Sequence, residues 1–325
     1  MCDTARWHFA TSCAPPPSKS ARWERWLDDS GALALMGATA EEYGDYVRRT
    51  PPSREAVQQI DKDVHRTENL GSHRGREALR RLLLAHAARN PRVGYTQGLN
   101  YITALLLQEQ PADSDEADVF WLLCAMTELL LPEHFAPSLV GVRTDAAVLE
   151  VLVAQHASLA DLPVLFESIG FDLPVVTPHW FMLAFCETLP HSLTLRVWDL
   201  LFALGSRTLV ATALALLRCQ ADKLRRGRPD FGACYAALHQ PTPSSISASE
   251  LLGAIMFELH FLPSKRLDQL RREHRPLAPT GAALQRSHEV RRYRYAFRFR
   301  GGPREFRHAW HDPKPRTYDA FDMIT

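Results

Sequence analysis

The stretch Glu116-Ala117-Asp118-Val119-Phe120-Trp121-Leu122-Leu123-Cys124-Ala125-Met126-Thr127-Glu128-Leu129-Leu130-Leu131 is apolar nearly all round at any helical phase. A helix without a polar stripe is buried among other helices, so this segment predicts the centre of a helical core. Its greasiest part, from Val119 to Leu131, is broken by Glu128 and ends at Pro132, which is too short to span a bilayer.

The same period continues on both sides of it. Glu77 to Arg89 places Leu79, Leu82, Leu83 and Ala87 at helical spacing and stops at Asn90-Pro91, where proline ends helices. Thr144 to Leu159 opens on a cap-like Thr-Asp pair. Pro178 to Thr188 and Ser192 to Leu204 are two more helices, separated at Leu189-Pro190-His191. Ser206 to Arg226 carries Lys223, Arg225 and Arg226 in its last turn and Gly227 just beyond, a C-terminal signature. Ser249 to His260 and Ser264 to Arg275 follow. No alternating run of β-branched residues demands a sheet. The expectation is an all-α chain of ten to fourteen helices with no significant sheet, as a single helical domain or two packed helical subdomains. Three parts are expected: a divergent, partly ordered segment over 1–52, a main domain over 53–276, and an extension over 277–325.

Composition narrows the function. Hydrophobic residues make up 46% and charged residues 23% of 325 residues, ordinary globular values. A net charge of +1 gives no global pull toward nucleic acid or membrane. The six cysteines form no CxxC pair and read as reduced thiols. No apolar leader opens the chain, so a cytoplasmic address is expected. The 14 histidines show no metal spacing, and no glycine-rich loop precedes a lysine, so neither a metal nor a nucleotide is expected to be held by this chain alone. The extension differs: from Gln285 to Arg307 it has eight arginines interleaved with Tyr293, Tyr295, Phe297, Phe299 and Phe306. Such a stretch can stack on bases or sit on anionic lipid, but is more often a solvated extension; nucleic acid is not the expected partner.

Two polar segments stand out in this helical background. Ile60-Asp61-Lys62-Asp63-Val64-His65-Arg66-Thr67 puts Asp63 three residues before Arg66, on one helical face. Gly94-Tyr95-Thr96-Gln97-Gly98-Leu99-Asn100 flanks Gln97 with two glycines that open left-handed backbone conformations. A guanidinium and a carboxamide are the groups nucleoside-triphosphate hydrolysis uses, one for phosphoryl charge and one for the attacking water. Surface ion pairing and a simple capping turn are the ordinary alternatives.

Ile60-x-x-Asp63-x-x-Arg66-Thr67 and Tyr95-x-Gln97-Gly98 together resemble the paired fingerprint motifs of TBC-domain proteins, the GTPase-activating proteins for Rab GTPases. Arg196-Val197-Trp198-Asp199 is similar to the family's arginine-x-tryptophan-aspartate segment, and Pro178-x-Trp180-Phe181 to the one before it. The resemblance covers about Ser53 to Leu270. The family's opening arginine-glycine-x-x-tryptophan segment finds no match before Ile60, although Trp23 and Trp26 lie in that region.

The resemblance implies an all-helical TBC-type domain of two packed helical subdomains that docks a GTP-bound Rab-family GTPase at endomembranes. It implies that Arg66 stabilises phosphoryl charge, that Gln97 positions the water, and that Asp63 orients Arg66. Thr67, Tyr95, Gly98 and Asn100 shape the two loops, while Trp180, Trp198 and Asp199 are structural. Mg²⁺ and GTP belong to the partner, leaving this chain without a cofactor. The alternative it leaves open is a catalytically weak module of the same fold that binds a GTPase as a scaffold.

Overall fold

The structure, a computed structural model, describes residues 16–49, 53–67, 70, 72–227, 229–239 and 247–276. Among them run fifteen α-helices and no strand. The first seven are α1 Lys19–Asp29, α2 Ala32–Ala38, α3 Tyr43–Arg48, α4 Arg54–Arg66, α5 His73–Arg89, α6 Leu99–Glu109 and α7 Glu116–Ala125. The other eight are α8 Val140–Gln155, α9 Leu162–Ser168, α10 Thr177–Met182, α11 His191–Leu204, α12 Arg207–Arg225, α13 Phe231–His239, α14 Ala248–Phe261 and α15 Ser264–Glu273.

Local chemistry starts several of these helices where the sequence supplies an oxygen for a free N–H. Ser53 accepts from the Ala56 amide at 3.2 Å to cap α4, and Ser72 accepts from the Gly75 amide at 3.1 Å to cap α5. Asp115 and Ser247 cap α7 and α14 in the same way. Helices α1 to α7 pack mainly on one another, as do α8 to α15, and one continuous apolar core runs through both groups. The broadest helix–helix contact between the groups is α1 on α11. As expected from its pattern, α7 is central: Val119, Phe120, Leu122, Leu123 and Cys124 are wholly buried.

Five expectations need correction. The segment 1–52 was expected to be partly ordered at best, yet within it 19–48 form α1, α2 and α3, and Trp23, Trp26 and Tyr46 are buried core. Aromatic anchors, rather than a long apolar period, order that segment; residues 1–15 lie outside the described chain. The single helix expected over Glu116–Leu131 breaks regular geometry at Met126, where a π-turn runs to Leu130 and the Leu131 amide bonds the Met126 carbonyl at 2.9 Å. The helix expected over Pro178–Thr188 stops at Met182, because Ala184 and Phe185 adopt positive φ of 43° and 64°. Finally, α8 begins at Val140, a turn before Thr144, and the helices outnumber the expected fourteen. The arginine-rich extension from Gln285 lies outside the described residues.

Candidate catalytic finger site

Arg66 is the last residue of α4, and its side chain is 59% exposed. Its Nη1 lies 3.9 Å from Asp63 Oδ1, too long for a hydrogen bond. Asp63 itself is buried, and its short contacts go elsewhere. Asp63 Oδ2 accepts from Gln59 Nε2 at 3.0 Å and from the Tyr95 hydroxyl at 2.9 Å. Burial, then the charge of Asp63, pushes the Tyr95 phenol well above its ordinary value, so it remains a donor. The spacing of Asp63 and Arg66 is that of an ion pair, but the aspartate chiefly ties α4 to the loop before α6.

Asn100 completes that tie. Its Oδ1 accepts from the Gly98 amide at 3.1 Å and lies 3.3 Å from the Tyr95 hydroxyl. Its Nδ2 donates to Thr67 Oγ1 at 2.9 Å, and the Thr67 hydroxyl donates to the Asp63 carbonyl at 2.8 Å. Asp63, Thr67, Tyr95, Gly98 and Asn100 are therefore one hydrogen-bonded unit spanning both polar segments. Gly98, the cap residue just before α6, has φ +113°, a conformation that strains any side chain, so the segment needs glycine there. Gln97, half-buried, precedes it, and the unit holds the ends of both segments together.

The other three expected residues lie elsewhere. Trp180 and Trp198 are wholly buried; their indole N–H groups donate to the carbonyls of Leu238 at 3.1 Å and Ala184 at 2.9 Å. Asp199 fastens α1. Its Oδ1 accepts from Trp26 Nε1 at 2.8 Å and Arg22 Nε at 3.0 Å, while Trp26 packs on Trp198 and Phe202. Arg22 and Trp26 have the spacing of the family's opening arginine and tryptophan, with Trp23 in the glycine position. What the structure adds is that both side chains converge on Asp199, which fastens α1 to α11.

Sequence reasoning also missed the supports of the Gln97 loop. Asn90 Nδ2 donates to Glu128 Oε1 at 2.8 Å, and Arg89 grips Glu128 through Nε at 2.7 Å and Nη2 at 3.0 Å. The Thr96 hydroxyl donates to the Phe135 carbonyl at 2.8 Å. The lone Glu128 in an apolar run was the one available signal for these contacts. Among the described residues no three His, Cys, Asp or Glu side chains converge to hold a metal ion, and no helix is long and apolar enough to cross a membrane.

The profile of the Rab-GTPase-TBC domain matches residues 32–225. Small G protein signaling modulator 3 of Rattus norvegicus is 33% identical over 262 residues, covering 78% of this chain and 34% of that protein. TBC1 domain family member 2A of Mus musculus is 31% identical over 230 residues, covering 68% of this chain and 24% of that protein. The chain thus spans about a third or less of the length of these relatives. Among solved structures, the Chlamydomonas flagellar RabGAP TBC domain superposes with a TM-score of 0.64 at 26% identity, covering 78% of this chain and 84% of that one. With both polar motifs inside the matched span, the chain belongs to the Rab-GTPase-TBC domain family.

Proposed function

We propose that this chain is a GTPase-activating protein that stimulates GTP hydrolysis by a Rab-family GTPase, and so regulates vesicle trafficking at the cytoplasmic face of endomembranes. The observation that carries the reading is the hydrogen-bonded unit of Asp63, Thr67, Tyr95, Gly98 and Asn100. It joins the ends of the segments bearing Arg66 and Gln97, and Arg66 reaches solvent. In the complex, GTP and Mg²⁺ are held by the GTPase. The Arg66 guanidinium meets charge developing on the transferring phosphoryl, and the Gln97 carboxamide orients the attacking water. Neither needs to exchange a proton, because this reaction is mostly positioning and electrostatics.

The test is single-turnover GTP hydrolysis by a panel of Rab-family GTPases. On a GTPase that the parent chain stimulates, Arg66→Ala should lower the rate by roughly a thousandfold or more. Gln97→Ala should also lose most of the stimulation, with affinity for the GTP-bound partner less affected. Tight binding of the parent without any rate enhancement would instead support the scaffold reading.

A further inference from the structure

The Gln97 loop is held at both ends by one stretch of chain, Thr127 to Phe135, that no reading of the two motifs identifies. At its start, Asn90 closes α5, and its carbonyl accepts from the amides of Val93 at 3.0 Å and Gly94 at 2.7 Å. The Asn90 side chain is fixed on Glu128 of the π-turn. At its end, the residue immediately before Gln97 donates its hydroxyl to the Phe135 carbonyl. Thr127, also in the π-turn, is hydrogen-bonded to the buried His86 of α5 at 2.8 Å.

That stretch is itself firmly seated. Phe135 is wholly buried. His134 Nε2 lies 3.0 Å from Asp145 Oδ2, and Asp145 is gripped by Arg271 of α15 at 2.7 and 2.8 Å. Gly141 allows α8 to start directly against it: a Cβ there would sit 2.7 Å from the Glu133 carbonyl carbon. The Phe135 carbonyl is therefore a fixed acceptor, and the hydroxyl that reaches it fixes the backbone next to Gln97.

We propose that Thr96 is a positioning residue for the glutamine finger, acting through the Phe135 carbonyl, with Asn90 on Glu128 as the matching anchor at the loop's other end. The inference rests on the proposed role of Gln97 and names what sets that side chain's reach. Misplacing a positioned group by about 1 Å can cost up to a hundredfold in rate, so even a small relaxation of this loop is visible in turnover.

The experiment uses the full chain and the Rab-family GTPase that it stimulates most. Thr96→Val removes the hydroxyl and keeps the shape. Its rate at saturating activator should fall about tenfold, a fraction of the full misplacement cost. The concentration for half-maximal stimulation and the thermal midpoint should stay near the parent's. Thr96→Ser, which keeps the donor, should retain the parent rate, and Asn90→Ala should reproduce the Thr96→Val signature from the other end. In a Gln97→Ala background, Thr96→Val should cost nothing further, because the residue it positions is gone.

A fully active Thr96→Val beside an inactive Gln97→Ala would overturn this inference and leave the proposed function standing. A Thr96→Val loss that simply adds to that of Gln97→Ala would overturn it too. A parent that stimulates no GTPase, or a fully active Gln97→Ala, would remove both.

Discussion

Tyr95 is the hinge of the candidate site at the scale of single residues: it meets Asp63 at 2.9 Å and Asn100 at 3.3 Å through one hydroxyl. Tyr95→Phe leaves a buried carboxylate short of a donor and should destabilise the fold by about 1–3 kcal/mol in urea titrations. Stimulation of the partner should fall as well. His86 gives a pH prediction. Burial depresses it from the ordinary 6.5 to about 4, with its Nε2 on the Thr127 hydroxyl. The unfolded chain takes up this proton at the higher pH, so the stability present above 6.5 is lost as the pH falls toward 4. The slope should reach about 1.4 kcal/mol per pH unit at most. His179, pushed down to about 3 by burial and its neighbour His239, acts in the same direction. Urea midpoints at pH 7 and pH 5 check this, and His86→Gln should flatten the difference. The candidate residues stood out in the sequence because glycines, an amide and a guanidinium crowd two short polar segments. The roles were less so: that Asp63 serves Tyr95 more closely than Arg66 depends on distances between segments, which no local spacing encodes.

Among the helices, existence was easier to read than boundaries. The buried α7 followed from its lack of a polar face, but the π-turn after it did not, because an additional residue in a turn leaves the apolar pattern intact. The short α10 likewise escaped reading, since the positive φ of Ala184 is compensated by a distant donor, the Trp198 indole. Helix α1 was hidden by the prolines just before it and by the lack of a long apolar period. Yet Trp26 is 1% exposed and lies 5.8 Å from Trp198, centroid to centroid. Trp26→Ala should therefore cost about 3–5 kcal/mol, measured as a lowered urea midpoint at an unchanged slope. A loss within a few tenths of a kcal/mol would show that α1 adheres only loosely.

Across the whole molecule, the apolar core is continuous, and α1 on α11 is the broadest helix contact between the two groups of helices. Asp199→Leu leaves the buried Arg22 with only the longer 4.0 Å contact to Glu109, removes the Trp26 acceptor, and should cost up to about 3 kcal/mol. Scanning calorimetry should show one endotherm for the parent and a lower or divided one for the variant. An unchanged endotherm would mean that the groups are coupled by packing alone. The all-α class was legible from period and punctuation, whereas the joining of the groups was not, because its partners are 177 and 173 residues apart. That separation also has a timing consequence on the ribosome. At the usual rate of synthesis α1 leaves the exit tunnel roughly 10–35 s before α11 can meet it. The Trp26 indole must wait that long for Trp198 and Phe202 to cover it, which gives nascent-chain chaperones a long window at this helix.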